Sequence, residues 1–569
     1  MKTFRDHWFW AEIEEQKSFY GFALLASLFA NIFAFAVSMF SMVVYDRILP
    51  NNATESLISL LIGLILILTL DYLVRQTRSN LLDYAGNRID KVISEKLFKN
   101  IILRSGYAAE RNSGVTASII RDFDVLKEFL AAATVTTFVD IPFSLMFLLV
   151  IYIFSSYLVL VPIVTILGLL AVGTYSHYVM SVSSKSISGV NQSKHSMMFE
   201  FLSARDTIVC LGRDDYFANK WNKAVADHAE WSSDSRKNSN RATNAVNLMT
   251  QLNQIAIITV GVVVTSMTGS LVAATLLAGR AIAPYSAIVN LLTRLSQAIQ
   301  SYKSISKALE TSSHSLTSGA VDAMKTANRI TFEKMSVQYP KTDKLALRSI
   351  ELQIEPGDRV AVLGKTGSGK STLLRALLGM ISLKEGEIRL DGINIRDYDR
   401  ASYVQKFGVL QQESHLFRGS IAQNIALSEA LIDPERIQWA CQHSGFDQVI
   451  PSLPDGLNSP IGEGGAGLSG GQKRLLVLAR LLYEDRPIIV LDEPTSALDP
   501  GSEMQVVTRL SECLSDRTVI FVTHRPAPLR LATKIAVIDE GKLVEFGDRD
   551  VVLAKLQANA AAQQKNPRP

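Results

Sequence analysis

Arg359-Val-Ala-Val-Leu-Gly-Lys-Thr-Gly-Ser-Gly-Lys-Ser-Thr372 joins a short β-type run to a glycine-rich loop, and Leu373-Leu-Arg-Ala-Leu-Leu378 follows as a helical run. The pattern is GxxxxGK[ST] in the strand–loop–helix setting that gives it meaning. Glycines let backbone N–H groups curl around phosphate oxygens, and the helix N-terminus adds a favourable dipole. Gly364, Gly367, Gly369, Lys370, Ser371 and Thr372 form the expected phosphate cradle. Lys370 is expected to reach the β and γ phosphates, and the Ser371 hydroxyl to bind Mg²⁺.

The chain around this loop has 569 residues, 48% of them hydrophobic and 20% charged. That length exceeds one domain. A mean hydropathy of +0.17 argues against a wholly soluble protein. A net charge of +4 is too small for a chain coated in nucleic acid, so no nucleic-acid partner is expected. Cys210, Cys441 and Cys513 lie too far apart for a disulfide framework or a CxxC metal site and read as isolated thiols.

Hydrophobicity is concentrated before about residue 300. Six apolar runs approach the roughly 20 residues a bilayer-crossing helix needs: Tyr20–Val44, Ser56–Val74, Thr134–Phe154, Tyr157–Tyr178, Val246–Met267 and Leu271–Leu292. The first is too long for a cleaved signal peptide and follows the charged stretch Asp6 to Lys17. Asp6–Phe19, with Trp8, Phe9, Trp10 and Ile13, suits a helix lying in the membrane interface and in contact with lipid. The links after the second and fourth runs are long, and the others are short. The first long link carries Arg75, Arg78, Arg88, Lys91, Lys96, Lys99, Arg104, Arg111, Arg121 and Lys127, whereas Arg47 is an exception in short links nearly free of Lys and Arg. This bias places the N-terminus, the long links and the soluble half in the cytoplasm. Both long links read as helices, with Gly114–Phe129 and Phe199–Gly212 as turning points.

The expected architecture is therefore a polytopic α-helical membrane domain followed by an α/β P-loop domain. Its parts are an interfacial segment at 1–19, a six-helix region at 20–303, a linker at 304–327, an ATPase domain at 328–556 and a mobile tail at 557–569. The soluble half opens with a strand, Ile330–Tyr339, and the reading passes from it directly to Arg359–Leu363. Pro487-Ile-Ile-Val-Leu-Asp-Glu493 is an apolar run ending in two carboxylates, the pattern of a buried parallel strand. Asp492 is expected to hold Mg²⁺ through water, and Glu493 to polarise the attacking water.

Between these motifs stands Leu468-Ser-Gly-Gly-Gln472, about 20 residues before the acidic pair. Here the chain resembles the ATP-binding cassette (ABC) ATPases, whose signature this pentapeptide matches. The resemblance implies that Tyr339 stacks on adenine and that Gln412, five residues before Phe417, is the Q-loop glutamine at the metal. It implies that Ser496-Ala-Leu-Asp499 is the D-loop and that His524 is the switch histidine. It also implies that Glu463-Gly-Gly465 belongs to a segment that contacts transmembrane loops in exporters. In such cassettes each ATP lies between one subunit's phosphate loop and the other's Ser469-Gly470-Gly471 with Gln472, so a second copy of the chain is the implied partner. Glu493, His524, Gln412 and Lys370 carry the implied catalysis, with electrostatic stabilisation of the γ-phosphate as its basis.

Six runs before the cassette resemble the type I ABC exporter arrangement. Val44-Tyr-Asp-Arg-Ile-Leu-Pro-Asn-Asn-Ala53, Phe138–Leu149 and Leu277-Ala-Gly-Arg-Ala-Ile-Ala-Pro284 narrow the likeness to type I secretion ATPases of the hemolysin-B and adhesin-exporter group. That resemblance implies a homodimer in a bacterial inner membrane moving an unfolded protein. It also implies a periplasmic membrane-fusion adaptor and a TolC-like outer-membrane channel. An exporter of lipid, peptide or drug without an adaptor is the alternative, and a non-transporting regulator built from ABC parts is the second. Many members begin with a C39 peptidase-like domain; with an interfacial segment near Asp6, neither that domain nor leader cleavage is expected here. Among polar residues in the spans, Asn31, Ser38 and Ser41 are candidates for a path lining or for helix–helix partners. Asp140 and Arg280 are expected to face protein or water, and Pro142, Pro162 and Pro284 to bend their helices.

Overall fold

The structure is a computed structural model describing residues 10–103, 113–129, 132–264, 268–310, 321–323, 327–340, 342–427 and 432–565. Trp8 and Phe9 of the expected interfacial segment, Arg104, Arg111, Met267, most of the linker's 311–326 and the last four residues lie outside the described residues. The chain divides into two compact units, one built from the helices up to Glu310 and one from the residues after Val321.

The first unit contains six helices long and apolar enough to cross a membrane. They are Lys17–Val43, Thr54–Leu103, Ala132–Phe154, Leu160–Ser203, Asp214–Val264 and Thr268–Glu310. Four of these greatly exceed a span. Thr54–Leu103 has 50 residues, or about 75 Å at roughly 1.5 Å per residue, and continues some 40 Å past a bilayer. The short helix Arg205–Leu211 and the helix Ser113–Phe129 stand at the two turning points read from the sequence. Thr268–Glu310 runs on into the stretch read as a linker, and a helix at Arg549–Lys565 takes in most of the terminal stretch read as a mobile tail.

Lipid-facing and protein-facing positions separate cleanly. Ile58, Ile62, Ile65 and Leu66 of the second spanning helix are exposed, as apolar side chains in hydrocarbon should be. In the last helix Ala274, Leu277, Ala278 and Ala281 are wholly buried against Phe147, Ile151 and Ile257. Small residues at this spacing let helices approach closely where no hydrophobic force acts between them. Gly269, near the start of that helix, donates its N–H to Asp46 Oδ1 at 2.7 Å. A Cβ there would lie 2.5 Å from the Met42 carbonyl oxygen and 2.6 Å from Asp46 Cγ, so the contact requires glycine. Asp46 belongs to a π-helical turn, Val44–Ile48, at the end of the first span.

Asp140, one of the costly polar residues, is paired. Asn31 donates to Asp140 Oδ1 at 2.9 Å and to its own helix at the Ser27 carbonyl. Arg78 lies 3.5 Å from the same Asp140 oxygen and donates to Ser27 Oγ at 3.0 Å. Asn31 is thus a helix–helix partner. Ser38 is buried, and Ser41 bonds back to the Val37 carbonyl. Pro142 and Pro284 lie inside helices, whereas Pro162 falls in the first turn of its helix, where the missing N–H costs little. On the N-terminal side, Lys96 pairs with the buried Glu12 of the helix Trp10–Glu15.

The second unit holds twelve named strands: β1 Ile330–Gln338, β2 Leu345–Ile354, β3 Arg359–Leu363, β4 Leu383–Leu390, β5 Ile393–Asn394, β6 Phe407–Leu410, β7 Gly419–Ser420, β8 Pro460–Ile461, β9 Ile488–Asp492, β10 Thr518–Val522, β11 Lys534–Asp539 and β12 Lys542–Asp548. β2 is one of several strands that the sequence reading did not single out. The central sheet runs β12-β11-β3-β10-β9-β6, parallel except for β12. β9 and β10 are buried at every position, which explains their continuous apolar runs. An antiparallel sheet, β2-β1-β4-β5, packs with the helix Lys370–Leu377 on one side of the central sheet. Helices Pro434–Ser444, Gly470–Glu484 and Pro500–Cys513 pack on the other.

Replacing Asp140 with leucine removes the acceptor shared by Asn31 and Arg78 and leaves the arginine unbalanced. We expect Asp140→Leu to lower stability by about 1–3 kcal/mol, read as a reduced melting temperature in detergent. Asp140→Asn, which keeps an acceptor, should lose less.

Candidate nucleotide site

In an open parallel sheet, ligands bind beyond the carboxyl ends of the strands. Four of the sequence-picked elements leave adjacent strands at that edge. Pairing sets Val522 beside Val362 and Asp492, and Leu410 beside Leu491. The loops after β3, β9, β10 and β6 therefore converge, bringing together Gly364–Thr372, Asp492–Glu493, His524 and Gln411–Gln412.

The phosphate loop has a conformation that only glycine permits. Gly369 has φ +109, and a Cβ on it would sit 2.7 Å from Leu347 Cδ2 and 2.8 Å from the Ala346 carbonyl oxygen. Gly364 is closed in the same way by the Ile538 carbonyl oxygen at 2.1 Å. Lys370 is buried, and its ammonium donates to the carbonyls of Gly364 and Lys365 at 2.9 and 2.8 Å. Burial pulls its pKa down, while Glu493 and Asp492 oppose the shift. The ammonium is held over the concave side of the loop, where an anion would take over from the two carbonyls. The Tyr339 hydroxyl lies 3.0 Å from Thr372 Oγ1, so the aromatic picked for adenine stands at the start of the same helix.

Asp492, at the end of β9, is almost wholly buried and hydrogen-bonded to Ser371. Burial raises its pKa, the Ser371 bond opposes this, and the neighbouring Glu493 raises it further. Ser371, Gln412 and Asp492 line one cavity of about 290 Å³ with Arg375 and His415. A hydroxyl, a carboxylate and an amide oxygen beside phosphate oxygens form a donor set suited to Mg²⁺, which takes few protein ligands and keeps its waters. The described residues contain no cluster of three His, Cys, Asp or Glu side chains able to hold a metal. The donors here fit a cation that depends on the nucleotide for the rest of its shell. Once bound, such an ion would neutralise phosphate charge.

Glu493 follows with φ +51, a left-handed backbone that a glutamate rarely takes, and its N–H is fixed by the Val522 carbonyl at 2.9 Å. Its carboxylate stands 3.6 Å from His524 Nε2. Asp499 caps the helix Pro500–Cys513, accepting from the Gly501 and Ser502 N–H groups at 3.0 Å, and the Ser502 hydroxyl together with these N–H groups holds its pKa down.

Ser469, Gly470, Gly471 and Gln472 do something different. Ser469 and Gln472 form a reciprocal capping box at the start of the helix Gly470–Glu484. The Gln472 side chain is thereby committed to the Ser469 N–H at 2.8 Å. Ser469 and Gly470 are exposed in the single chain. The signature is a preformed helix N-terminus presented to solvent.

Two arginines, the buried Arg474 and the half-exposed Arg525, are not singled out by the sequence. Arg474 bonds to carbonyls on both sides of the site. Arg525 donates to the carbonyls of Leu498 and Ser496 and pairs with Glu503 at 3.3 Å, tying the D-loop to the segment after His524. Charged residues on helical or loop stretches read as solvated, and only the carbonyls they meet in the fold distinguish these two.

Family models match both halves of the chain. The family profile "ABC transporter transmembrane region" matches residues 20–295, and the profile "ABC transporter" matches 347–496. A third, "AAA domain, putative AbiEii toxin, Type IV TA system", overlaps at 466–529. The chain is 28% identical over 552 residues to the cyclolysin secretion/processing ATP-binding protein CyaB of Bordetella pertussis, covering 96% of this chain and 77% of that protein. It is 27% identical to the exotoxin translocation ATP-binding protein PaxB of Pasteurella aerogenes, with the same coverage. Identity to the alpha-hemolysin translocation ATP-binding protein HlyB of Escherichia coli is 26%, over 96% of this chain and 78% of that one. In fold it resembles a bacterial Atm1-family ABC exporter solved with ATP bound, at a TM-score of 0.81 and 22% identity, covering 96% of this chain and 98% of that one.

Burial raises the pKa of Asp492 in the folded, cation-free protein, so its proton is held to higher pH than in the unfolded chain. That contribution to stability is present below the unfolded pKa and is lost as pH rises through the raised value. Mg²⁺ needs the ionised form. The apparent Mg²⁺ affinity in an ATPase titration should therefore weaken as pH falls through the raised pKa of Asp492, by up to roughly tenfold per unit below it. An affinity that strengthens on acidification would contradict this.

Proposed function

Because the chain belongs to the ABC transporter family and carries both the membrane region and the ATPase in one polypeptide, we propose that two copies form a type I secretion exporter. Its cargo is an unfolded protein, and it works in a bacterial inner membrane. The chain is a multi-pass membrane protein with a cytoplasmic ATPase domain. The observation that carries the cargo assignment is the run of toxin-translocation relatives aligned over 96% of the chain, membrane and ATPase parts together.

In the mechanism, the phosphate loop with Gly364, Gly367 and Gly369 wraps the phosphates, Lys370 and Thr372 contact them, and Tyr339 packs on the base. Ser371, Asp492 and Gln412 would hold Mg²⁺, which would supply charge neutralisation at the phosphates. The partner copy brings its exposed signature helix start against the same nucleotide, where backbone N–H groups and a helix dipole favour negative charge. Asp499 stabilises the loop that meets the partner. Glu493 orients and polarises the attacking water, and His524, 3.6 Å from that carboxylate, holds it and contacts the γ-phosphate. Charge developing on the γ-phosphate is then met by fixed donors. Nucleotide-driven closure is passed to the spanning helices, and hydrolysis resets it. A membrane-fusion adaptor and an outer-membrane channel complete the route.

Glu493→Gln keeps the side chain's size and removes its basicity. ATP turnover should fall by about a hundredfold or more while nucleotide binding persists. Near-normal turnover would refute the role of Glu493. Arg280 is exposed on the last spanning helix of the single chain. Arg280→Ala should leave ATPase activity intact and abolish secretion if this face lines the path; unchanged secretion would remove it from the path. Crosslinking in cells followed by purification of the chain tests the cargo assignment. Recovery of an adaptor and a secreted protein supports it, and recovery of neither favours an adaptor-free exporter.

A further inference from the structure

Arg474 is the third residue after Gly471 in the helix Gly470–Glu484, and it is only 6% exposed. A guanidinium has five N–H donors in a rigid plane. Here each has a carbonyl. Nη1 donates to Gln411 at 2.6 Å and Gln412 at 3.3 Å. Nη2 donates to Asp492 and, at 2.5 Å, to Glu493. Nε donates to Pro494 at 3.2 Å. No side-chain carboxylate is among these five acceptors. The charge is instead compensated by backbone dipoles of two loops that leave the paired strands β6 and β9.

The loops it joins are those that need holding. Glu493 has the left-handed φ of +51, and such strain persists only where surrounding structure over-determines it. Gln411 and Gln412 are exposed and border the cavity that also holds Ser371 and Asp492. Burial pulls the Arg474 guanidinium down to about 10, with Asp492 and Glu493 opposing. It therefore remains charged at neutral pH. Farther along the same helix, Arg480 donates to the Asn424 and His415 carbonyls, fixing the far end of the segment that begins at Gln411.

We propose that Arg474 is a positioning residue that locks the Gln412 loop and the Glu493 turn to the signature helix. A shift of that helix, when its exposed start meets the partner's nucleotide, is thereby delivered to the chain's own hydrolytic groups. The proposal rests on the ATPase reading above and adds a route by which the signature of one chain reaches that chain's own site.

The test uses the full chain with Arg474→Met, which keeps apolar bulk, and Arg474→Lys, which keeps charge without the planar fork. Turnover should fall about tenfold or more in Arg474→Met while the ATP concentration at half-saturation changes by less than about threefold, with Arg474→Lys intermediate. Hydrogen exchange should accelerate at 411–413 and 492–493 and not in the body of the helix. Combining Arg474→Met with Gln412→Ala should lower turnover little beyond the worse single variant, because both act on one unit. Unchanged turnover and exchange would overturn the proposal. So would parallel losses of turnover, ATP affinity and melting temperature in both variants, which mark a general brace. Normal hydrolysis by Glu493→Gln, with Arg474 intact, would instead sink the assignment of the hydrolytic groups.

Discussion

A carboxylate buried at the end of a parallel strand is the constraint on which this protein turns. Asp492 is desolvated against the Ser371 hydroxyl and beside a second acid, Glu493. Such a group is expensive unless a cation arrives. The rest of the second unit can be read as the scaffold for that expense. β9 and β10 are buried on both faces so that their ends are rigid, and the phosphate loop closes so tightly on the Ile538 and Ala346 carbonyls that Gly364 and Gly369 admit no side chain. Lys370, Arg474 and Arg525 then fix the surrounding loops through backbone carbonyls.

Much of this was legible in the sequence because phosphate chemistry demands particular residues at particular spacings. Glycines that admit no Cβ, a lysine, a hydroxyl and an apolar run ending in Asp leave little freedom of interpretation. What the sequence concealed is the network that holds these parts. Arg474 follows Gln472-Lys473 and looks like another surface cation; its burial depends on loops from β6 and β9 meeting over it. Gln472 looks like a ligand residue, yet its side chain closes a cap on Ser469. β2 was missed because Leu345–Ile354 alternates buried and exposed positions among charged residues, with no continuous apolar run to announce it.

The helical unit shows the same division. Span count and the two turning points follow from hydropathy and helical spacing. The contact between Asp46 and Gly269, some 220 residues apart, does not. Nor does the assembly of Asn31, Asp140 and Arg78 from three helices. Such pairs remove the cost of polar groups in lipid and fix which helices are neighbours. The last helix also extends past the boundary suggested by composition, because Ser and Lys at Ser304–Lys307 are compatible with a helix that already has a core-facing side through Ile305.

The central claim is that a working ATP site is shared between two chains, one giving Lys370 and the other the exposed Ser469–Gly470 start. It is tested most directly by producing together two full-length variants that are each inactive alone, Lys370→Ala and Ser469→Arg, and measuring ATPase activity of the mixed dimer. A heterodimer would contain one site with both lesions and one intact site. With random pairing, about a quarter of wild-type activity should return if each composite site works independently. No recovery above the separate variants would contradict the account.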